Sequence, residues 1–173
     1  EAAVMIKKFL DDLPAMIEEY NDLLTGNEIF QRRLKNTSIL SARQALQRGV
    51  TGPMLRACGV SYDLRKDNTY SSYDDFEFSV PLGHNGDNWD RYIVRIKEMT
   101  ESAGIVRQAL EGMPEGEFTA KVPKVLRPPK GEVYDTTEGP RGEVGYHIIS
   151  DGSAKPYRIH IRRPSFINLQ ALD

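Results

Sequence analysis

The segment TGPMLRACGVSYDLRK, residues 51–66, sets two guanidiniums, Arg56 and Arg65, on either side of the carboxylate of Asp63. That spacing suits a partly buried ion-pair network, which fixes the shape of a loop more reliably than it stabilises it. Other chemistry-bearing residues are sparse. His84, His147 and His160 have no close metal-ligand spacing. His147 and His160 fall on neighbouring strand-like runs and are expected as cross-strand neighbours, but a histidine pair alone is not a site. Cys58 is the single cysteine, which excludes an intramolecular disulfide and an all-cysteine metal site built by this chain alone; a buried, inert thiol is its expected role. There is no GxSxG elbow, no GxGxxG after a strand and no GxxxxGK phosphate loop. GPRGEVG reads as a hairpin turn. The acidic doublets Asp11/Asp12 and Asp74/Asp75 read as caps or solvated loops, and Arg162–Arg163 as a solvent-facing strand end.

The elements that must position these groups follow from periodicity. Met5, Phe9, Leu13, Met16, Ile17, Tyr20 and Leu23/Leu24 recur at helical spacing from Ala2 to Leu24. Pro14 interrupts that stripe, so either the helix kinks there or Asp11/Asp12 cap a second helix. Gly26 ends the segment. A short helix from Ser41 to Arg48 is expected, capped by Ser41 and closed by Gly49. The clearest pattern is DNWDRYIVRIKEMTESAGIVRQALEG, about six turns of helix capped by Asp87 and stopped by Gly112 and Pro114. The stretch 50–78 between these helices reads as a structured loop that docks on the long helix or on another subunit.

After Pro114, the prolines 123, 128 and 129 predict an extended connector. GEVYDTTEG, GEVGYHIIS and KPYRIHIRR then read as three strands of an antiparallel meander. In the last, Tyr157, Ile159 and Ile161 alternate with Arg158, His160 and Arg162. The expected fold is α+β: a mainly helical part over 1–113, a proline-rich connector over 114–130, and a small antiparallel sheet over 131–173 with the start of a further segment.

The chain of 173 residues fits one domain, and its net charge of -2 argues against nucleic acid as a partner. No apolar run is long enough for a transmembrane segment, and no signal peptide or lipidation motif is visible. The chain opens on Glu1 in helical register without a methionine, and SFINLQALD begins a new amphipathic segment. It reads as a piece of a longer protein.

Three stretches carry a family resemblance: TGPMLRACGVSYDLRK, then YSSYDDFEFSVPLGHNGDNWDRYIVRIKEMTES, then GPRGEVGYHIISDGSAKPYRIHIRRPSFINLQALD. Together they resemble the large quinone-site subunit, the D subunit, of the NADH:quinone oxidoreductases, respiratory complex I. That family is related to the large subunits of nickel–iron hydrogenases. The resemblance runs in order along essentially the whole chain. It implies a peripheral subunit on the cytoplasmic face of a bacterial or archaeal membrane. With the neighbouring cluster-bearing B subunit, such a protein forms the cavity where quinone is reduced, and reduction drives ion translocation elsewhere. Quinone, iron–sulfur clusters and NADH are implied for the whole complex, and none is expected on this fragment. The family's quinone-proximal histidine, tyrosine and aspartate lie upstream of this chain, so no catalytic, cofactor-binding or metal-binding residue is assigned. Arg56, Asp63, Arg65, Tyr73, Asp74, Arg91, Arg95 and Glu98 fall in matching motifs and are expected as scaffold or subunit-interface residues. LRPPKGEVY lacks the helical insertion of mitochondrial-type members. The large subunit of a membrane-bound, energy-converting nickel–iron hydrogenase and a non-catalytic interaction module are the alternatives. The isolated fragment is expected to be inactive.

Overall fold

The computed structural model describes residues 2–117 and 119–172. The expectations for Glu1, Phe118 and Asp173 lie outside the described residues. The fold is α+β, with helices followed by one three-stranded antiparallel sheet.

Helix α1, Ala2–Tyr20, runs through Pro14. No second helix begins at Asp11/Asp12, which corrects that reading. Proline at 14 leaves the carbonyl of Leu10 without its helical donor. Arg107 reaches across from the long helix, donating to Leu10 O at 3.5 Å and pairing with Asp11 at 3.1 Å. The last turn widens to a π-helix over Asn21–Thr25, closed by the Gly26 N–H donating to Asn21 O at 2.7 Å. Of the α1 stripe, Met5, Phe9, Met16, Tyr20, Leu23 and Leu24 are exposed, and Leu10 is the buried residue of the helix.

Helix α2, Glu28–Leu34, starts at Asn27, whose side chain accepts from the N–H groups of Ile29 and Phe30. Helix α3, Ala42–Gln47, has the expected Ser41 cap, reinforced by Gln44 as a capping box. The stretch read as a structured loop contains two short helices and one 3-10 turn: α4, Pro53–Ala57; α5, Leu64–Asp67; and Tyr73–Asp75. Their start signals are local: Pro53 occupies the first turn of α4, and Asp63 caps α5. At five and four residues, neither is long enough to show a periodic stripe.

The long helix α6, Asn88–Glu111, is capped by Asp87, which accepts from Asp90 N at 2.9 Å. Asp90 in turn accepts from the backbone N–H groups of His84, Asn85 and Gly86, drawing the preceding loop onto the helix start. Leu40, Ala45, Val50, Leu55 and Cys58 form the buried apolar core beside it.

Residues 114–117 and 119–130 have no regular secondary structure. The sheet follows in order β1 (Gly131–Gly139), β2 (Gly142–Ser150) and β3 (Arg158–Arg162). His147 does pair with His160 across β2 and β3. Helix α7, Pro164–Asn168, and a 3-10 turn over Leu169–Ala171 return to the helical core. Among the described residues, no helix is long and apolar enough to cross a membrane.

Candidate functional site: a buried charge cluster at the floor of a cleft

Gly52, at φ +70°, lets the chain turn sharply into α4, and Pro53 starts the helix. One turn later Arg56 points inward with its side chain 2% exposed. Its Nε donates to Glu98 Oε1 at 2.7 Å, on α6. Its Nη1 donates to Tyr62 O and to Glu138 Oε1, each at 3.0 Å, the latter on β1. Asp63 Oδ2 lies 3.6 Å from the same nitrogen.

Asp63 is equally buried and holds Arg65 in a two-pronged pair, Nε to Oδ1 at 2.9 Å and Nη2 to Oδ2 at 2.6 Å. It also caps α5 by accepting from Arg65 N. Glu138 accepts weakly from Leu64 N at 3.5 Å, and its own N–H donates to the Tyr70 hydroxyl at 3.0 Å. Helices α4, α5 and α6 and strand β1 therefore meet at one knot of two guanidiniums and three carboxylates.

Burial works against the charge of Arg56, but Glu98, Glu138 and Asp63 outweigh it and hold the guanidinium above its usual range. Burial also opposes the charge of Asp63; its bonds to Arg65 and the field of Arg56 reverse the sign and keep the carboxyl below the usual range. Glu138 goes the other way. Burial pushes it up, Asp63 adds repulsion, and the pair with Arg56 does not fully compensate. Behind it, Tyr62 donates to Glu143 Oε2 at 3.0 Å, and burial followed by that carboxylate pushes the phenol to about 12.

The cluster forms the polar floor of a cleft of about 760 Å³. Its walls are apolar, from Phe9 and Leu13 on α1 and Met99 and Val106 on α6. Arg56, Asp63 and Arg65 come together in the ion-pair network that their spacing suggests, and Glu98 joins them from α6. Tyr73 and Arg95 line the same cleft. Arg95 donates to the carbonyl of Arg91, and burial lowers its pKa, opposed by Glu98. Two residues stand apart. Arg91 ties the start of α6 to its surroundings through Asn88, Ser38 O and Gly86 O, and Asp74 is exposed on the 3-10 turn.

Sequence reasoning misses Glu138, Tyr62, Tyr70 and Glu143. A buried acid at the end of a strand has no local signature, because its partner lies on a distant helix. It also misjudges Arg162, which donates to Glu143 O at 2.8 Å and to Gly49 O at 2.9 Å, clamping β3 to the helical part. Arg163 stacks over Phe166 instead. Cys58 is buried as expected; its thiol donates to Met54 O, and burial pushes its pKa up.

Among the described residues, no group of three or more His, Cys, Asp or Glu is arranged to hold a metal ion. One cysteine is too few to hold an iron–sulfur cluster alone, and Arg56, Arg65, Glu98 and Glu138 on the cleft floor are bonded within the charge cluster. The residues present do not by themselves fit an iron–sulfur cluster.

The sequence matches the family described as respiratory-chain NADH dehydrogenase, 49 kDa subunit, over residues 1–129 and 122–173. It is 56% identical over 167 residues to the NADH-quinone oxidoreductase D subunit of Desulforamulus reducens, covering 96% of this chain and 46% of that protein. It is 51% identical over 166 residues to the protein of the same name in Clostridium beijerinckii, covering 96% and 45%. It is 51% identical over 166 residues to the NADH-quinone oxidoreductase D subunit of Carboxydothermus hydrogenoformans, covering 96% and 46%. The chain spans about half the length of the curated relatives it matches.

Proposed function

The chain belongs to the respiratory-chain NADH dehydrogenase 49 kDa subunit family, and from that premise we propose that it is a scaffold segment of the quinone-site subunit of an ion-translocating NADH:quinone oxidoreductase. The observation that carries this reading is identity of 56% sustained over 96% of the chain with a protein of that enzyme. In the parent protein, electrons reach quinone from an iron–sulfur cluster on the neighbouring B subunit, at the cytoplasmic face of a bacterial membrane. The segment binds no cofactor of its own.

Its part is mechanical. The mainly helical part, residues 2–113, and the part that carries the sheet, residues 131–172, act as two halves of one scaffold on either side of the proline-rich connector. Arg56, Asp63, Arg65 and Glu98 lock the halves together through Glu138. Tyr73 and Arg95 shape the cleft mouth, Arg91 fixes the start of α6, and the exposed Asp74 faces a neighbouring subunit. Such a knot suits a part that must hold a neighbouring site to within a fraction of an ångström.

The test is replacement. Residues 1–173 are substituted for the matching segment of the Carboxydothermus hydrogenoformans relative, and the membranes are assayed for NADH:quinone reduction. Inhibitor-sensitive quinone reduction that falls at least tenfold with Asp63→Ala is the expected result. A chimera that assembles but reduces no quinone overturns this reading, and one that enters no assembly would reduce the segment to an interaction module.

A further inference from the structure

The sheet leaves one face uncovered. Val133, Ile148 and Ile159 pair in register as one apolar row across all three strands, with Val133 54% and Ile159 49% exposed. Tyr146 and Ile161 form the next row on that face, both exposed. The connector runs along this row, so that Leu126, Pro128 and Pro156 wall a groove of about 540 Å³. Exposed apolar surface of this kind is what a monomeric protein avoids and an interface needs.

The groove has a charge signature. From Lys121 to Lys130 the chain reads KVPKVLRPPK, with cations at 121, 124, 127 and 130, no carboxylate, and every residue exposed. Val122, Val125 and Leu126 are 73%, 59% and 68% exposed within it. Lys155 adds a cation beside Pro156 on the opposite wall. Of the carboxylates near the groove, Glu132 meets His147 Nε2 at 2.5 Å and Asp151 accepts from Ser153 N at 2.9 Å, while Asp135 lies beside Tyr146 in the second row and accepts from Thr136 N at 2.8 Å. Prolines at 123, 128 and 129 restrict the connector beforehand, so docking there orders less chain than a glycine-rich segment would.

We propose that this groove and its basic connector are the docking site for a protein segment rich in both carboxylates and apolar side chains, carried by a neighbouring subunit. The apolar side chains fill the groove over Val133, Ile148 and Ile159, and the carboxylates meet Lys121, Lys124, Arg127 and Lys130. A walled groove accepts individual side chains. A bilayer surface would favour a protruding apolar patch, so the anionic membrane is the competing occupant. The proposal rests on the reading that the parent protein works in a multi-subunit assembly.

The experiment uses the full-length parent protein in its native assembly, with a benzophenone amino acid replacing Leu126 and, as a control away from the groove, Leu46. Cross-linked peptides are identified by mass spectrometry, while native electrophoresis and NADH:quinone reduction report assembly separately. The expected product joins residue 126 to an acidic, apolar peptide of another subunit. The triple change Lys121→Glu, Lys124→Glu and Arg127→Glu then lowers its yield at least tenfold in an assembly that still forms. Cross-links to lipid, to the parent chain itself or to a peptide without carboxylates overturn the proposal, as does a yield no higher than at residue 46. An intact, active assembly with such results sinks the docking site alone. A parent protein that enters no assembly sinks both this and the functional reading.

Discussion

Arg56 Nη1 donates to Glu138 Oε1 at 3.0 Å, so a helix in the first half of the chain is bonded to a strand near its end. Both side chains are almost fully buried, at 2% and 5% exposure. A charge left there without its partner faces the full desolvation penalty, whereas the pair as a whole contributes little net stability.

The coupling between the two is therefore larger than the net value of either. Arg56→Gln alone is expected to destabilise by about 3–5 kcal/mol, because it takes the guanidinium from Glu98 and Glu138 while Asp63 keeps only Arg65. Glu138→Gln costs less, and the double variant less than the sum. A double-mutant cycle in urea should return a favourable coupling of about 2 kcal/mol. Simple additivity would mean that the bond does no work in holding the sheet.

Acidification tests the two carboxylates separately. Asp63 has a depressed folded pKa, so its contribution is present above the unfolded value of about 3.9 and is lost as pH falls through the folded value. Glu138 has a raised folded pKa, so its contribution is present below the unfolded value of about 4.3 and is lost as pH rises through the folded value. Urea midpoints measured from pH 3 to pH 8 should show Asp63→Asn flattening the acid limb. Over the same range the cost of Glu138→Gln should shrink as pH rises. A cost of Glu138→Gln that grows with pH would reverse the sign assigned to it.

Legibility in the sequence follows the range of the interaction. The caps of α3 and α6, the three strands and the His147–His160 pairing are written within short stretches of chain, and they are readable there. The ion-pair role of Arg56, Asp63 and Arg65 is readable from charge and spacing. Glu138 and Arg162 are not, since each is defined by partners on distant elements. Pro14 misleads for the same reason: the donor that serves its orphaned carbonyl is Arg107, on a helix far along the chain. The α1 stripe has the correct period, yet periodicity reports a helix and not what covers it.

Cys58 should resist modification in the folded chain. Its thiol is buried, donates to Met54 O at 3.2 Å, and is pushed up in pKa by burial, with the opposing pull of Arg91 too weak to restore it. Labelling by a disulfide reagent at pH 8 should proceed at the rate of unfolding and become immediate in denaturant. Rapid labelling of the native chain would show that the α3–α4 core opens readily.

The hairpin tip supplies the last test. Gly142, at φ +126°, lies against Thr51 and Gly52, and a Cβ on it would fall 2.6 Å from Thr51 Oγ1 and 2.9 Å from the Thr51 backbone carbon. Thr51 Oγ1 accepts from Glu143 N at 3.1 Å, and Asn168 bridges Thr51 N and Arg141 O, so the tip is latched on both sides. Gly142→Ala must therefore strain the backbone and displace the latch together, a loss of about 3 kcal/mol or more. Thr51→Ala removes one acceptor and should cost about 1 kcal/mol. Measured by thermal unfolding, the glycine variant should fall well below the threonine variant. Equal losses would mean that the tip yields, and that Arg56, Glu138 and Arg162 alone hold the sheet in place.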